Sequence, residues 1–319
     1  MLRSFLIYLS KAPWVQRLVV GWKVAWWAAS RFVAGSSIGD AIKVVCELNA
    51  KGFSATLDHL GESTSTRAEA IKATDDIIEL LDQINKNSLR ANVSVKLTQI
   101  GLALDESLCV QNLERILSRA REARNFVRID MEDTPYTDQT LRIYREMRSK
   151  GFQNTGVVVQ SCLYRTEKDV RELINDGACF RIVKGAYKEP PELAFPKKVD
   201  VDANFDLLTQ IMIDAAKAAG SPIISTDGRI PPIPAIGSHD SKRLEIAKNY
   251  AEKVGLSKQA MEIQMLFGIR RDLQEQYVKE GYPVRLYVPY GTHWYPYFMR
   301  RLAERPANLW FFISNFFRK

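Results

Sequence analysis

From residue 53 onward, short apolar runs of strand length alternate with longer stretches whose apolar side chains recur every three or four positions. There are eight runs, at 55–60, 93–97, 126–131, 156–160, 180–183, 233–237, 263–267 and 284–288. Most are rich in Val and Ile, and most are followed by polar residues or Gly, which is the chemistry of β-strands. Helical spacing fills intervals such as 67–84, 108–124, 138–147, 205–219 and 243–254. No long linker or low-complexity block divides them. Eight strands alternating with helices predict an α/β chain folded as a (β/α)8 barrel more economically than an open sheet. A doubly wound sheet is the alternative, but the spacing of Gly35 and Gly39 is not the GxGxxG of a nucleotide-binding turn.

Outside that repeat, both ends are aromatic. Residues 14–27 carry Val15, Leu18, Val19, Trp22 and Trp26 as a helical stripe interrupted by Arg17 and Lys23. No run reaches the roughly 20 apolar residues of a membrane span, and no small-residue cleavage site follows, so an amphipathic helix is expected. Residues 309–319 are aromatic and end basic. That composition suits a membrane surface or a partner, and packing back onto the body is the competing expectation.

In a chain of 319 residues, 46% hydrophobic and 26% charged side chains describe an ordinary globular protein with a sizeable core. The net charge of +8 raises nucleic acid, anionic lipid and acidic ligands as partners. The Lys and Arg residues are spread along the chain without an RNP, zinc-finger or helix-turn-helix signature, which counts against nucleic acid. Cys46, Cys109, Cys162 and Cys179 are too few and too scattered for a disulfide framework or a CxxC metal site, so no metal is expected and a reducing cytoplasm fits best.

In a barrel the chemistry gathers at the C-terminal ends of the strands, so the polar residues at and after each run are the ones to read. In chain order these are Asp58 and Glu62, Lys96 and Gln99, then Asp130, Glu132 and Asp133. Gln160 follows, then Arg181, Lys184 and Tyr187, His239 and Asp240, Glu262 and Gln264, and Arg285 and Tyr287. Inward charges such as Lys96, Asp130 and Arg181 are expensive to bury unless they are paired or engage a ligand. A plain Asp130–Arg181 salt bridge plugging the barrel mouth is the structural alternative. Near the C-terminus, Tyr297-Phe-Met-Arg300-Arg301-Leu-Ala-Glu304 places two guanidinium groups on one helical face between a tyrosine and a carboxylate. Two such forks suit one small carboxylate, although taken alone an Arg-Arg-x-x-Glu face is more often a solvated ion-pair ladder.

Together these segments resemble the proline dehydrogenase family, flavin-dependent enzymes that oxidise L-proline. The resemblance runs from about residue 53 to 311. It rests on Phe180-Arg-Ile-Val-Lys-Gly-Ala-Tyr187, Ile129-Asp-Met-Glu132, Gln264-Met-Leu-Phe-Gly268, and Tyr287 followed by the Tyr297 to Glu304 motif. It implies a modified (β/α)8 barrel with FAD across the strand ends, an N-terminal helical segment at 1–52, a last helix capping the substrate, and a tail at 312–319. Arg300, Arg301 and Lys96 would then bind the proline carboxylate, with Glu304 orienting the arginines. Tyr187, Leu266, Tyr287 and Tyr297 would pack on the ring. Arg181 would stand beside the flavin, with Asp130 holding Arg181 and Lys96 in place. Met131, Gln160, Lys184, Gly185, Ala186 and Gln264 would contact the cofactor, and Ser238 and His239 its adenine half.

The resemblance further implies hydride transfer from C5 of proline to flavin N5 and electron transfer to a membrane quinone. The aromatic, basic termini suit peripheral attachment to the inner face of the cell membrane. The length leaves no room for the aldehyde dehydrogenase of bifunctional relatives, and no Arg/Ser-rich leader of mitochondrial type is present. Two rival readings remain at this point. One is a (β/α)8 aldolase with Lys96 or Lys184 as Schiff-base former, and the other is a non-catalytic carboxylate-binding or membrane-peripheral module. The segment 221–234 is read either as part of the sixth strand or as a cofactor-side loop.

Overall fold

A computed structural model describes residues 23–61, 64–187 and 189–304. Eight parallel strands close into a barrel in sequence order: β1 Ser54–His59, β2 Ala91–Val95, β3 Val127–Ile129, β4 Thr155–Gln160, β5 Cys179–Val183, β6 Ala235–Gly237, β7 Glu262–Leu266 and β8 Val284–Tyr290. Closure is made by β8 pairing with β1, Ser54 opposite Arg285 and Asp58 opposite Pro289. The connecting helices are α3 Arg67–Lys86, α4 Glu106–Glu122, α5 Thr134–Ser149, α6 Thr166–Asn175, α7 Lys198–Ala218, α8 Ser241–Lys253 and α9 Arg271–Lys279. Among the described residues, two helices precede the barrel, α1 Lys23–Ala29 and α2 Ile38–Ala50, and α10 Trp294–Glu304 follows it. Starts are set locally. Ser37 and Asp40 form a capping box on α2, Thr66 and Glu69 another on α3.

Side chains alternate across a strand, and here the two faces are chemically opposite. The outward set, including Leu57, Val93, Ile129, Val157, Ile182 and Ile263, is fully buried against helix residues such as Ile77, Leu113 and Ile213 and forms the main core. The inward set is largely polar: Thr56, Asp58, Asn92, Arg128, Glu262 and Arg285 are all buried. The apolar core is therefore the layer between sheet and helices, and the lumen is a hydrogen-bonded polar interior.

The segment 221–234 closes the N-terminal end of that lumen. The carbonyl of Gly228 accepts from Arg285 Nη2 at 2.7 Å, and that of Arg229 accepts from Asn92 Nδ2 at 2.8 Å. Arg229 itself donates to the carbonyls of Leu89 and Ala123, which precede β2 and β3. The segment is thus neither part of β6, which begins at Ala235, nor a loop on the cofactor side. Its carbonyls are needed by buried donors at the opposite end.

A second apolar cluster joins the N-terminal segment to α10. Ala29, Phe32 and Val33 pack with Trp294, Phe298 and Leu302, which recur every four residues on α10. Trp26 meets Trp294 edge-on at 5.5 Å. The chain passes close over Gly268, whose φ is +78°. A Cβ there would lie 1.8 Å from the Arg31 carbonyl, so no side chain fits. Of the expected amphipathic stripe, Trp26 packs in this way. Val15, Leu18, Val19, Trp22 and the terminal segment 309–319 lie outside the described residues.

Candidate active site

Five strands send polar side chains to the C-terminal mouth of the lumen. Asp58 lies in β1, Lys96 just follows β2, Asp130 just follows β3, and Arg181 and Tyr287 lie within β5 and β8. Arg181 Nη2 donates to Asp130 Oδ1 at 2.5 Å, and the Tyr287 hydroxyl donates to Asp130 Oδ2 at 2.7 Å. Lys96 Nζ donates to both oxygens of Asp58 at 3.0 and 3.1 Å and to the Tyr287 hydroxyl at 3.3 Å, and stands 3.7 Å from Asp130. The Arg181 guanidinium also sits 5.6 Å from the Tyr287 ring centre, within cation–π range.

Burial pushes the Asp58 carboxyl above its ordinary value even with Lys96 beside it. Burial acts on Asp130 in the same sense, but Arg181 and Lys96 together outweigh it and hold that carboxyl below the usual range. Burial, reinforced by Asp130 and Asp58, drives the Tyr287 hydroxyl well above its ordinary value, so it remains a donor.

These groups form one wall of a cavity of about 670 Å³. The opposite wall comes from α10. Tyr297, Arg300 and Arg301 are three and four residues apart and line the cavity, while the Trp294–Phe298–Leu302 face packs on the N-terminal segment. The Arg301 guanidinium lies 5.0 Å from the Tyr297 ring centre. Glu304 ends the helix, and its side chain is outside the described residues. Leu266 and Tyr187 add apolar surface to the same cavity.

The remaining lining is cationic and rich in bare backbone. Met131, Gln160, Lys184, Gly185, Ala186, Ser238, His239 and Gln264 all line it. Gln160 Nε2 donates to the Glu132 carbonyl, and Ser238 Oγ accepts from the Asp240 amide. The Leu266 amide donates to His239 Nε2 at 2.8 Å, which orients the ring. Gly185 has φ +121°, and a Cβ there would meet Cys162 Sγ at 2.3 Å. Among the described residues, seven cations line the cavity (Lys96, Arg181, Lys184, Lys198, Arg270, Arg300 and Arg301) against three carboxylates (Asp58, Asp130 and Asp240), with Asp202 and Asp272 pairing Lys184, Lys198 and Arg270 from behind, so the lining as a whole favours an anionic occupant.

The fit to a flavin dinucleotide is tested by Arg181. Both terminal nitrogens are engaged, Nη2 by Asp130 and Nη1 by Gln264 Oε1 at 3.1 Å, yet Nε is buried with no hydrogen-bond partner. A buried donor left over beside a cavity calls for an acceptor from the occupant. With glycine and alanine backbone alongside, the residues present fit the group.

Several positions correct the reading by strand ends. Glu262 and Arg285 do not reach the mouth; they pair at 2.8 Å lower in the lumen, where Arg285 also donates to the carbonyls of Ala55 and Gly228. Glu62 is outside the described residues. Asp58, singled out only as a polar strand end, is the carboxylate that grips Lys96. Lys198 and Arg270 went unnoticed because their signal, a cation at a helix start, is also that of ordinary surface. Lys96 donates to both oxygens of Asp58 and to the Tyr287 hydroxyl, and Lys184 donates to Asp202 and Asp240, so polar partners engage both nitrogens, which counts against a Schiff-base role.

A family profile described as proline dehydrogenase matches residues 41–313. The chain belongs to the proline dehydrogenase family. Its members are oxidoreductases acting on proline in proline catabolism. The chain is 36% identical over 319 residues to Proline dehydrogenase 2 of Bacillus subtilis (strain 168), covering 99% of each. It is 37% identical over 317 residues to Proline dehydrogenase of Deinococcus radiodurans, covering 98% of this chain and 97% of the relative. Bifunctional protein PutA of Escherichia coli (strain K12) is 25% identical over 313 residues, but the match takes in only 23% of that protein. Full-length agreement is thus with the monofunctional relatives. Among solved structures, proline utilization A from Bdellovibrio bacteriovorus, inactivated by N-propargylglycine, superposes with a TM-score of 0.78 at 26% identity, over 88% of this chain and 33% of that one.

The pairing of Asp130 has a measurable consequence. Its carboxyl is held below its unfolded value of about 3.9, so it adds stability above that pH and loses the contribution as pH falls below it. Asp130→Asn leaves Arg181 buried without its counter-charge, at a cost of about 3–5 kcal/mol near neutral pH. Urea unfolding is expected to show that loss together with a flatter acid limb in the variant. Equal stability at neutral pH and an unchanged acid limb would contradict the pairing.

Proposed function

We propose that the chain oxidises L-proline to Δ1-pyrroline-5-carboxylate with FAD as its cofactor, the first step of proline breakdown toward glutamate. The observation that carries this reading is the opposition, across one cavity, of the Arg300 and Arg301 face of α10 and the Lys96, Tyr287 and Arg181 wall of the barrel. FAD bound along the cationic half would supply at N5 the acceptor for a hydride from C5 of proline while the ring nitrogen gives up a proton to complete the C=N bond, and the two electrons would go on to a membrane quinone.

The chain's own residues divide the remaining work. Arg300, Arg301 and Lys96 hold the substrate carboxylate, three cations on one anion in a site where water is scarce and Coulomb terms are strengthened. Tyr187, Leu266, Tyr287 and Tyr297 enclose the carbon atoms of the pyrrolidine ring, which offer no hydrogen bonds and are recognised by shape. Arg181, pinned by Asp130 and Gln264, offers a fixed positive charge and its remaining N–H to the cofactor ring. Met131, Gln160, Lys184, Gly185 and Ala186 supply the cradle, and Ser238 and His239 serve the adenine half. Positioning of this kind contributes up to about 7–11 kcal/mol to lowering a barrier when two reactants are held in a near-attack geometry.

No described helix is long and apolar enough to cross a membrane. Contact with a quinone would come through peripheral attachment by the aromatic, basic termini, with Lys and Arg attracting anionic head groups. Flotation with anionic liposomes is expected to weaken on deleting residues 309–319, and undiminished flotation would remove that segment from the attachment.

Anaerobic L-proline is expected to bleach the flavin bands of the purified protein. Arg300→Ala and Arg301→Ala should each weaken the apparent affinity for proline by about 2 kcal/mol or more, roughly thirtyfold. Variants that bleach as readily at the same proline concentration would take the arginine pair out of substrate binding. A protein without flavin bands would overturn the cofactor assignment.

A further inference from the structure

Below the mouth of the barrel, a second set of buried groups connects to the first. Glu262 and Gln264 share the inward face of β7, and Arg285 projects inward from β8 beside them. Arg285 Nε and Nη2 donate to the two oxygens of Glu262 at 2.8 and 3.1 Å. Both residues are essentially inaccessible, at 1% and 0% exposure, so the carboxylate has no water to turn to. Gln264 Nε2 donates to Glu262 Oε1 at 2.5 Å, while Gln264 Oε1 accepts from Arg181 Nη1 at 3.1 Å.

The direction of that amide is the point of interest. An amide can turn over and exchange its donor and acceptor ends, and only its neighbours decide which end faces which group. An ionised carboxylate accepts only, so Glu262 draws the NH2 end toward itself and leaves the oxygen for Arg181. Turned over, the amide would set two donors against each other at Arg181 and two acceptors against each other at Glu262. Arg285 engages both oxygens of Glu262 in a place where an unpaired charge would be prohibitive.

We propose that Glu262, clamped by Arg285, is a positioning residue that fixes the Gln264 amide and through it the Arg181 guanidinium beside the cofactor. The inference rests on the reading of the cavity as a flavin site. A guanidinium held in one place beside the cofactor ring stabilises the more negative, reduced form, so its loss of orientation lowers the reduction potential and slows reduction by proline. Arg300 and Arg301, which grip the substrate carboxylate from α10, and Lys96, which meets Arg181 only through Asp130, lie on other elements than Glu262, Gln264 and Arg285, so proline affinity is expected to hold.

The test is made on the flavin-loaded full-length protein, reading flavin content, midpoint potential, bleaching rate with L-proline and proline affinity. Exchanging Glu262→Met together with Arg285→Met removes both charges at constant net charge and similar volume, a change that buried ion pairs often tolerate. It is expected to shift the potential negative and to slow bleaching about tenfold, the worth of one hydrogen bond to a charged group, with proline affinity nearly unchanged. Glu262→Gln separates positioning from simple field effects. Removing a negative charge by itself would raise the potential, whereas loss of the amide's direction lowers it. Gln264→Met should give the same fall, and the Glu262/Arg285 exchange should add nothing in that background.

An unchanged or raised potential in both the double exchange and Glu262→Gln overturns the relay, as do additive effects in the Gln264→Met background. If the double exchange does not fold, Glu262→Gln and Gln264→Met decide by the same signs. A wild-type protein without flavin overturns the cofactor reading instead, so the two failures are told apart.

Discussion

Charges buried inside a closed barrel have to satisfy one another, and this constraint organises the whole molecule. Asp58, Asp130 and Glu262 face Lys96, Arg181 and Arg285 within the lumen, linked by Tyr287 and Gln264. Removing one member of such a set strands its partner without solvent, so each side chain has few positions open to it. The rigidity of the site is thus supplied by the cost of leaving charges unmatched, and the helices outside need only hold the sheet closed. The segment 221–234 serves the same constraint, giving carbonyls to Arg285 and Asn92 at the far end.

The capping helix answers a different requirement. Its apolar side is fixed to the segment after α1, which in turn passes over Gly268 at the end of β7. Its Tyr297, Arg300 and Arg301 side forms the other wall of the cavity. One helix therefore couples the N-terminal chain to the place where a carboxylate would be held. Phe32 and Trp26 are thereby packed against the helix that carries Tyr297, Arg300 and Arg301.

Much of this was legible in the sequence. Strands buried against helices on one face carry Val, Ile and Leu at alternate positions, so all eight runs were visible, with β3 shorter than its run because Asp130 and Met131 leave the ladder to form the mouth. Helices α6 and α9 were not among the segments read as helical, being short and heavily charged. Depth in the lumen was not legible. Glu262 and Gln264 are alternate polar positions of one run, and only the start of β7 at Glu262 and the pairing of Glu262 with Arg285 and of Gln264 with Arg181 show that one serves the interior and the other the mouth. The role of 221–234 was hidden for a related reason, since its function lies in backbone carbonyls that no side-chain pattern announces.

The most direct test of the account is a crystal structure of the flavin-loaded protein with a non-oxidisable proline analogue that keeps the carboxylate. The account predicts that carboxylate between Arg300, Arg301 and Lys96, with Arg181 still held by Asp130 and Gln264 and its Nε directed at the cofactor. An analogue bound elsewhere, or an Arg181 swung away from Asp130 once the cavity is filled, would contradict it.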